Sequence, residues 1–240
     1  KGGGAQTTTL TFDTIPSNLI STSLDRATYP LSSEVHITMT DPQLNIDPTD
    51  EDVWTWDSLS SSNNVYYGLF TENGDADAVA ATAQDLIGNL TAFDFEKNGR
   101  VIINPAAQGG DAVAAFDDNT KQVLPLGYVP NAGAMSQQIT FTESGASTGI
   151  FGNYDESDDA NLDITASALR GKSATIRYND VSASIVVGFG YGTLATGLLD
   201  GEWNSGEEIP VTLVDSDANK NSRTDEDLDV FKPTIVLVPS

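Results

Sequence analysis

Short runs of alternating apolar and polar residues recur along the chain, separated by clusters of Gly, Asn, Asp, Ser and Pro. Alternation with a period of two is typical of strands with one buried face, and frequent turn signals are typical of an all-β sandwich. The pattern predicts strands at Thr7–Phe12, Glu34–Thr40, Val65–Thr71, Leu90–Phe95, Val101–Ile103, Gln137–Thr142, Ala174–Tyr178, Ser184–Phe189, Glu208–Val214 and Thr234–Val238. A single short helix is predicted over the Ala-rich segment Asp77–Ile87, which ends before Gly88.

An internal repeat links the beginning of the chain to its end. With an offset of 174 residues, Ile20–Asp47 aligns with Leu194–Asn221 without a gap. Equivalent positions include Tyr29 and Trp203, Val35 and Ile209, Asp41 and Asp215, and Asn45 and Asn219. Each repeat therefore consists of a turn, a strand and an acidic loop. Tyr29 and Trp203 are predicted to plug the core at the turn into the strand, with stacking on a sugar as the alternative.

The repeat also predicts how the chain is divided. If one unit is about as long as the offset, residues 1–190 form one β-sandwich region and residues 191–240 hold the opening strands of a second unit. About 50 residues of β-structure make a poor independent core. We therefore predict that this tail packs on the first unit, or that the natural chain continues beyond Ser240.

Composition narrows the classes of partner. The chain has 11 Lys and Arg residues against 35 Asp and Glu residues, and its net charge is −24. Nucleic acids and anionic membrane surfaces are bound mainly through Lys and Arg, so neither is expected as a partner. No run approaches the roughly 20 apolar residues of a membrane-spanning helix, and direct membrane insertion is not expected either.

The residue types also limit the chemistry. Hydrophobic residues make up 39% of the chain, which is enough for a folded core. The chain has no cysteine, which removes disulfides, thiolate catalysis and zinc bound through sulfur. Its single histidine, His36, is too few for a multi-histidine metal centre. In a chain this acidic, bound divalent cations are the expected substitute for disulfides.

Oxygen-bearing side chains occupy every second position of both acidic loops, and an acidic triplet follows each series. The first loop has Asp41, Gln43, Asn45 and Asp47 followed by Asp50, Glu51 and Asp52, and the second has Asp215, Asp217, Asn219 and Asn221 followed by Asp225, Glu226 and Asp227. Ca²⁺ accepts six to eight oxygen ligands in irregular geometry, so we predict a Ca²⁺ site in each loop. The alternative is that these Asp and Asn side chains end strands and form turns with the backbone.

Other acidic residues give less specific signals. A third acidic loop, Asp155–Asp163, is a weaker Ca²⁺ candidate because it has no repeat partner. Glycosidases need two carboxyl groups at a defined separation, and a chain this rich in carboxylates satisfies almost any such search. Asp57 and Glu143 are candidates only in this weak sense, and we do not expect an enzyme.

Three further residues have a structural and a functional interpretation. His36 alternates with Val35 and Ile37, so it faces away from the core and is predicted at the surface or between domains. Trp54 and Trp56 can share one face of a strand, where a core or interface position is favoured over a ligand platform.

Several stretches resemble immunoglobulin-like modules of large microbial surface proteins. The first half of the module resembles Tyr29–Asp47, and the second half resembles Ile139–Phe151 followed by Ala174–Asp180. A narrower resemblance is to the surface-layer proteins of ammonia-oxidising archaea. It covers Leu24–Leu31 with Asn45–Asp52, and Trp203–Glu208 with Asp215–Asn221. Val53–Ser136 is then a long insertion between the matching halves, either within the module or as a separate small β-domain.

The resemblance implies immunoglobulin-like β-sandwich domains with acidic Ca²⁺-binding loops. It also implies an extracellular location, in a porous two-dimensional lattice of identical subunits held by divalent cations. Each kT of negative potential enriches a monovalent cation about 2.7-fold, so such a lattice would favour cations such as ammonium. The alternative function is a Ca²⁺-stabilised cell-surface adhesin or carbohydrate-binding module.

Overall fold

The computed structural model describes residues 7–9, 17–61, 64–72, 93–94, 99–105, 112–116, 137–154, 158–197 and 201–226. Its strands are β1 Ser21–Leu24, β2 Ile37–Thr40, β3 Val53–Asp57, β4 Asn64–Tyr67, β5 Phe93–Asp94, β6 Val101–Asn104, β7 Ala114–Phe116, β8 Gln138–Glu143, β9 Ile150–Gly152, β10 Leu162–Ile164, β11 Ser173–Tyr178, β12 Val181–Val186, β13 Thr193–Thr196 and β14 Val211–Val214. A 3₁₀ turn at Ser17–Leu19 is the only helical element in these ranges. None of the described residues belongs to a helix long and apolar enough to cross a membrane.

Two antiparallel sheets form the body of the protein. The larger has seven strands in the order β1-β2-β9-β8-β3-β4-β5, and the smaller has three in the order β12-β11-β6. Two short ladders, β10-β7 and β13-β14, complete the strands. Buried side chains from both larger sheets belong to one hydrophobic cluster. The fold is therefore all-β, and its architecture is consistent with a β-sandwich.

Burial along the strands follows the alternation of the sequence. In β11, Ala174, Ile176 and Tyr178 are buried while the residues between them are exposed. Strand β3 differs, because all of Val53–Asp57 is buried. It lies between β8 and β4 in the larger sheet, so both of its edges are paired as well.

The two tryptophans of β3 lie in the core, as predicted. Both are almost fully buried, and the ring of Trp56 contacts those of Phe141 and Tyr178 edge-on. Each indole N–H donates to a carbonyl oxygen, that of Trp54 to Leu44 at 2.9 Å and that of Trp56 to a glycine at 2.8 Å. Because Leu44 belongs to the first acidic loop, the core fixes one side of that loop.

Most of the predicted strands that can be compared are present. Strands β2, β4, β5, β6, β8, β11, β12 and β14 lie in or overlap predicted runs, whereas the short strands β1, β3, β7, β9, β10 and β13 were not predicted. The predicted strand Thr7–Phe12 is described only over 7–9, where no strand forms. The helix predicted at Asp77–Ile87 and the strand predicted at Thr234–Val238 lie outside the described residues.

The segment predicted as an insertion contributes to both larger sheets. Strands β3, β4 and β5 belong to the seven-stranded sheet, and β6 belongs to the three-stranded sheet. The larger sheet therefore continues through the beginning of Val53–Ser136. The division of the chain into residues 1–190 and 191–240 stays a prediction.

Both copies of the repeat form a two-stranded antiparallel hairpin, β1-β2 and β13-β14. Ser21 lies opposite Thr40 in the first, and Thr193 lies opposite Val214 in the second. Val214 is the repeat equivalent of Thr40, but Thr193 is equivalent to residue 19, so the pairing differs by two residues. A shift of two keeps each side chain on the same face of the hairpin.

The aromatic residues at the start of the two repeats have different surroundings. Tyr29 is fully buried and its hydroxyl donates to Asp25 Oδ1 at 2.5 Å, which confirms the predicted core plug. Trp203 is 51% exposed, and the same prediction was wrong for this residue. The reason is that every residue of β13 and β14 is exposed, so no sheet covers this hairpin within the described part of the chain.

This difference predicts unequal effects of the same truncation at equivalent positions. Tyr29→Ala should lower the free energy of unfolding by about 3–5 kcal/mol, because it empties a buried aromatic site. Trp203→Ala should change it by less than about 0.5–1 kcal/mol, because the side chain is already half exposed. Urea unfolding of both variants measures the difference, and equal losses would contradict the burial assigned to these residues.

Candidate cation-binding loops

The first acidic loop begins at Asp41, directly after β2. Its carboxylate is buried and accepts hydrogen bonds from the Gln43 N–H at 2.9 Å and from the Tyr178 hydroxyl at 2.6 Å. Burial raises the pKa of Tyr178, and the charge and hydrogen bond of Asp41 raise it further, so the hydroxyl remains a donor. The first bond forms a turn at the start of the loop, and the second connects the two larger sheets.

Asp52 closes the same loop. Its buried carboxylate accepts hydrogen bonds from the backbone N–H groups of Ile46 and Asp47, and from the Tyr67 hydroxyl at 2.6 Å. Burial raises the pKa of Tyr67, and the hydrogen bond to Asp52 adds to this effect. Asp52 therefore holds the tip of the loop in a fixed turn.

A third buried carboxylate, that of Glu143, supports the loop from the neighbouring strand. It accepts hydrogen bonds from the N–H groups of Thr148 at 2.8 Å, Gly149 at 2.6 Å and Asp52 at 3.2 Å. Gly149 has a φ of +62°, and a Cβ at this position would lie 3.0 Å from the Cα of Pro42. Only glycine fits this turn without strain.

The weak candidate pair for glycosidase chemistry is not brought together. Asp57 lies opposite Gln138 at one end of the β3–β8 pair, and Glu143 ends β8 five residues further along. Five residues of strand span about 16 Å, which exceeds the separation of about 5–9.5 Å in glycosidases. Their carboxyl groups instead accept hydrogen bonds from backbone N–H groups.

The second acidic loop has the same internal geometry as the first. The Asp217 N–H donates to Asp215 Oδ1 at 3.0 Å, which repeats the turn at Asp41. The N–H groups of Lys220 and Asn221 donate to the Glu226 carboxylate. In the first loop, the N–H groups of Ile46 and Asp47 donate to Asp52 in the same way. These residues follow their counterparts by the same 174 positions, so Glu226 is the structural equivalent of Asp52. The repeat is therefore conserved in hydrogen bonding as well as in sequence.

The outer surface of the second loop contacts the first unit. The Arg26 guanidinium donates to the carbonyl oxygen of Asn219 at 2.9 Å and to its Oδ1 at 3.0 Å. The Lys220 ammonium donates to the carbonyl oxygen of Leu31 at 2.9 Å. We call the contact of residues 217–223 with residues 25–36, Tyr154 and Asp158 the joint, and we use first unit for the predicted region 1–190.

Asn221 and Arg223 extend the joint toward an acidic region of the first unit. Asn221 Nδ2 donates to Glu34 Oε1 at 3.1 Å and to the carbonyl oxygen of Asp158 at 2.9 Å. Arg223 forms an ion pair with Asp158, and its guanidinium lies 4.0 Å from the centre of the Tyr154 ring. These contacts support the prediction that the tail packs on the first unit.

His36 lies in the middle of the joint and is buried. Its Nε2 is 3.5 Å from Glu34 Oε2, its Nδ1 is 3.8 Å from Asp25 Oδ2, and Ser222 Oγ is 3.4 Å from Nδ1. The surface position predicted as one alternative is therefore wrong, and the inter-domain alternative depends on the division of the chain, which stays a prediction. Its Nε2 also lies 3.2 Å from the Asp158 carbonyl oxygen, and its ring centre is 5.3 Å from that of Tyr154.

The residues predicted to bind Ca²⁺ differ in burial. Asp41, Asp52 and Asn221 are buried, Asn45, Glu51, Asp215 and Asp217 are half-buried, and Gln43, Asp47, Asp50, Asn219, Asp225 and Glu226 are exposed. Asp227 lies outside the described residues. In the third candidate loop, Asp158 pairs with Arg223, while residues 155–157 are not among those described.

The fit of these loops to a cation is limited by their own hydrogen bonds. Donors of the protein already occupy the oxygens of Asp41 and Asp52, and Asp217 accepts the Gly190 N–H at 2.8 Å. Over the ranges the structure covers, no three Asp, Glu, His or Cys side chains converge on a metal-sized point. The Ca²⁺ sites stay a prediction, which now rests on the exposed residues of each loop.

Several residues that shape the loops had no role in the sequence-based predictions. Tyr178 and Tyr67 hold the first loop, and Arg26 holds the second, across separations of up to 193 residues. No local pattern signals such contacts. The repeat offset did carry one signal, because it aligns Asp52 with Glu226.

No protein-family model matches the chain, and no curated protein matches it. The function is therefore inferred from sequence and geometry.

The hydrogen bond between Tyr178 and Asp41 gives a direct test of how the first loop is held. Tyr178→Phe should lower the free energy of unfolding by about 1.5–3 kcal/mol, because a buried carboxylate loses a charged hydrogen bond. The matched change Tyr191→Phe, at a residue that is 91% exposed, should have an effect within about 0.5 kcal/mol. Thermal and urea unfolding measure both, and a neutral Tyr178→Phe would show that the contact does not hold the loop.

The two carboxylates beside His36 have opposite pKa shifts. Burial opposes the ionisation of Asp25, but hydrogen bonds from His36, Tyr29, Ser222 and Arg26 outweigh it and hold the pKa of Asp25 below its usual range. Burial is also the largest effect on Glu34, and there it prevails and raises the pKa.

These shifts predict opposite pH dependence for two variants of the joint. The stability advantage of the wild type over Asp25→Asn should be complete above about pH 5 and shrink below about pH 4, where the unfolded carboxylate takes up protons first. The advantage over Glu34→Gln should instead shrink as the pH rises above about 4.3, because the folded state then loses its preferred proton. Urea unfolding from pH 3 to 7 measures both, and slopes of the same sign would refute the assignment.

Proposed function

We propose that this chain is a structural module of an extracellular surface layer, in which identical subunits form a porous, acidic lattice. The observation that carries the proposal is the joint. A lattice needs successive units at fixed relative positions, and the second loop is bound to the first unit by hydrogen bonds, an ion pair and a cation–π contact. Such a contact favours a rigid tandem over a flexible string of domains.

The immunoglobulin-like topology is part of this proposal. Two antiparallel sheets around a common core and the repeated strand-and-loop unit support it. Tandem immunoglobulin-like domains suit a load-bearing role, because each adds a compact β-sandwich and leaves its end loops for contacts with neighbours.

Calcium enters the proposal as a bridge between exposed carboxylates. Asp47 and Asp50 are exposed at the tip of the first loop, and Asp225 is exposed in the second. Hydrogen bonds from Thr49 lower the pKa of Asp47, which keeps this carboxylate ionised. Copies with a net charge of −24 repel each other, and divalent cations bound between their loops would reduce this repulsion.

The charge also supports a role in ion passage. Pores lined by carboxylates concentrate cations such as ammonium and exclude anions. The Debye length falls from about 8 Å at 0.15 M salt to about 3 Å at 1 M, so in saline water the effect requires narrow passages. We therefore propose selection in pores and not over the open surface.

The lattice proposal predicts Ca²⁺-dependent sheets. Extracellular modules commonly bind Ca²⁺ with a Kd of about 10⁻⁴–10⁻³ M, so ordered sheets should form at a few millimolar Ca²⁺ and dissolve in EDTA. Electron microscopy of the purified chain, with Na⁺ at matched ionic strength as the control, tests this expectation. Soluble monomers under every condition would argue against the proposal, and equal passage of ammonium and nitrite through sheets at low salt would remove the ion-selective role.

One observation favours the alternative, a carbohydrate-binding module or adhesin. Tyr191 is 91% exposed and Trp203 is 51% exposed, and exposed aromatic rings can stack on sugars. This function predicts a monomer that binds glycans and loses them on Trp203→Ala. The joint gives no reason to expect such binding, so the lattice is the preferred proposal.

A further inference from the structure

A groove of about 600 Å³ lies on the outward face of the three-stranded sheet. Its charged residues among those described are Arg100 and Arg177, and none of the described residues that line it is a carboxylate. The groove at the joint and the one beside Glu143 both contain carboxylates. In a chain with 35 acidic residues, a groove with this charge requires an explanation.

The strand register places both arginines on one face. Arg177 lies opposite Ile102 on β6 and opposite Ser182 on β12, and Arg100 precedes Ile102 by two residues. Arg100 donates to the carbonyl oxygen of Ser60. The Arg177 side chain is exposed, and its guanidinium forms no hydrogen bond or ion pair with another described residue. Its guanidinium is therefore available to bind a carboxylate through two parallel hydrogen bonds.

The tip of an acidic loop already serves as a docking element in the second repeat. There Lys220, Asn221 and Arg223 contact the first unit, where Glu34 and Asp158 provide negative charge. A loop tip that carries positive charge thus binds an acidic receiver. The loop backbone is fixed by its own carboxylate, so it presents these side chains in a constant geometry.

The corresponding tip in the first repeat has the opposite charge. With the offset of 174, Ile46 replaces Lys220, Asp47 replaces Asn221, and Asp50 follows on the exposed turn. Ile46 is 56% exposed. A receiver for this tip should offer positive charge and an apolar strip. The groove offers both, because Leu59, Ile102 and Pro105 line it beside the arginines.

The tip and the groove lie at opposite ends of the same pair of strands. Asp52, which holds the tip, is next to Glu143 at one end of the β3–β8 pair. Gln137, which lines the groove, donates to Asp57 at the other end. About 16 Å of strand separates the ends, so the tip of one copy cannot enter its own groove.

We infer that the Ile46–Asp50 tip of one copy docks into the Arg100–Arg177 groove of a second copy. The inference rests on the proposed self-assembly and adds the contact that would carry it. Because the two surfaces differ, the contact is heterologous, and each copy keeps one free tip and one free groove. The contact can therefore extend into chains.

A charge reversal in the groove tests the contact. Arg177→Glu should weaken self-association at least about tenfold, because it places like charges together at the interface. Lys172→Glu makes the same charge change at an exposed residue outside the groove and should leave association near that of the wild type. Arg177→Glu keeps an intact tip, and Asp50→Arg keeps an intact groove. Mixing the two variants should therefore restore association through the tip of the first and the groove of the second. Sedimentation velocity over a range of concentrations, at low ionic strength and in millimolar Ca²⁺, measures all four samples.

The outcomes separate this contact from the lattice. If Arg177→Glu assembles like the wild type, the proposed contact is wrong, whether or not sheets form. The contact is also wrong if Arg177→Glu and the control Lys172→Glu weaken association equally. If association depends on Arg177 and is restored by mixing but no sheets appear, the contact stands and the lattice proposal fails. If the wild type stays monomeric while Arg177 is needed to bind polygalacturonate, the groove accepts an acidic saccharide and self-docking is overturned.

Discussion

The buried carboxylate that accepts hydrogen bonds from the backbone is the constraint on which this structure depends. A carboxylate that leaves water must find donors, and Asp41, Asp52 and Glu143 find them in N–H groups of the first loop and of the β8–β9 turn, and in two tyrosine hydroxyls. Asp41 follows a strand of the larger sheet and Tyr178 ends a strand of the smaller one, so a single charged hydrogen bond connects the two sheets. Loop conformation and sheet packing therefore depend on the same groups.

The repeat uses the hydrogen bonds from backbone N–H groups to a carboxylate in both loops, but its carboxylates are buried only in the first. In the second loop Glu226 takes the position of Asp52 and holds an equivalent turn, although the surrounding hairpin is exposed. The turn is thus determined locally by the loop, whereas burial of the repeat depends on the sheet that covers it. Tyr29 and Trp203, equivalent in sequence and different in exposure, illustrate this distinction.

The sequence predicted features that are encoded locally or by repetition. Alternation predicted β11, and the 174-residue offset predicted a strand followed by an acidic loop in each copy, as β2 and β14 show. Strands of three residues, such as β9, give no periodic signal, and contacts such as Arg26 with Asn219 join residues too distant for any pattern. Side-chain oxygens at every second position of a loop have two physical interpretations. They can bind a cation, or they can accept hydrogen bonds from the loop's own N–H groups. At Asp41 and Asp52 the structure has N–H and hydroxyl donors.

Scarce positive charge explains where this protein makes contacts. The chain has 11 basic residues against 35 acidic ones. If the basic residues were distributed at random over the surface, few of them would lie in any one contact. Yet Arg26, Lys220 and Arg223 all lie in the joint, and each binds an oxygen of the opposite unit. Coulomb repulsion makes any approach of two acidic surfaces unfavourable unless basic residues or bound cations lie between them. In such a chain, a groove whose described lining has two arginines and no carboxylate is where an acidic partner can approach at the lowest electrostatic cost.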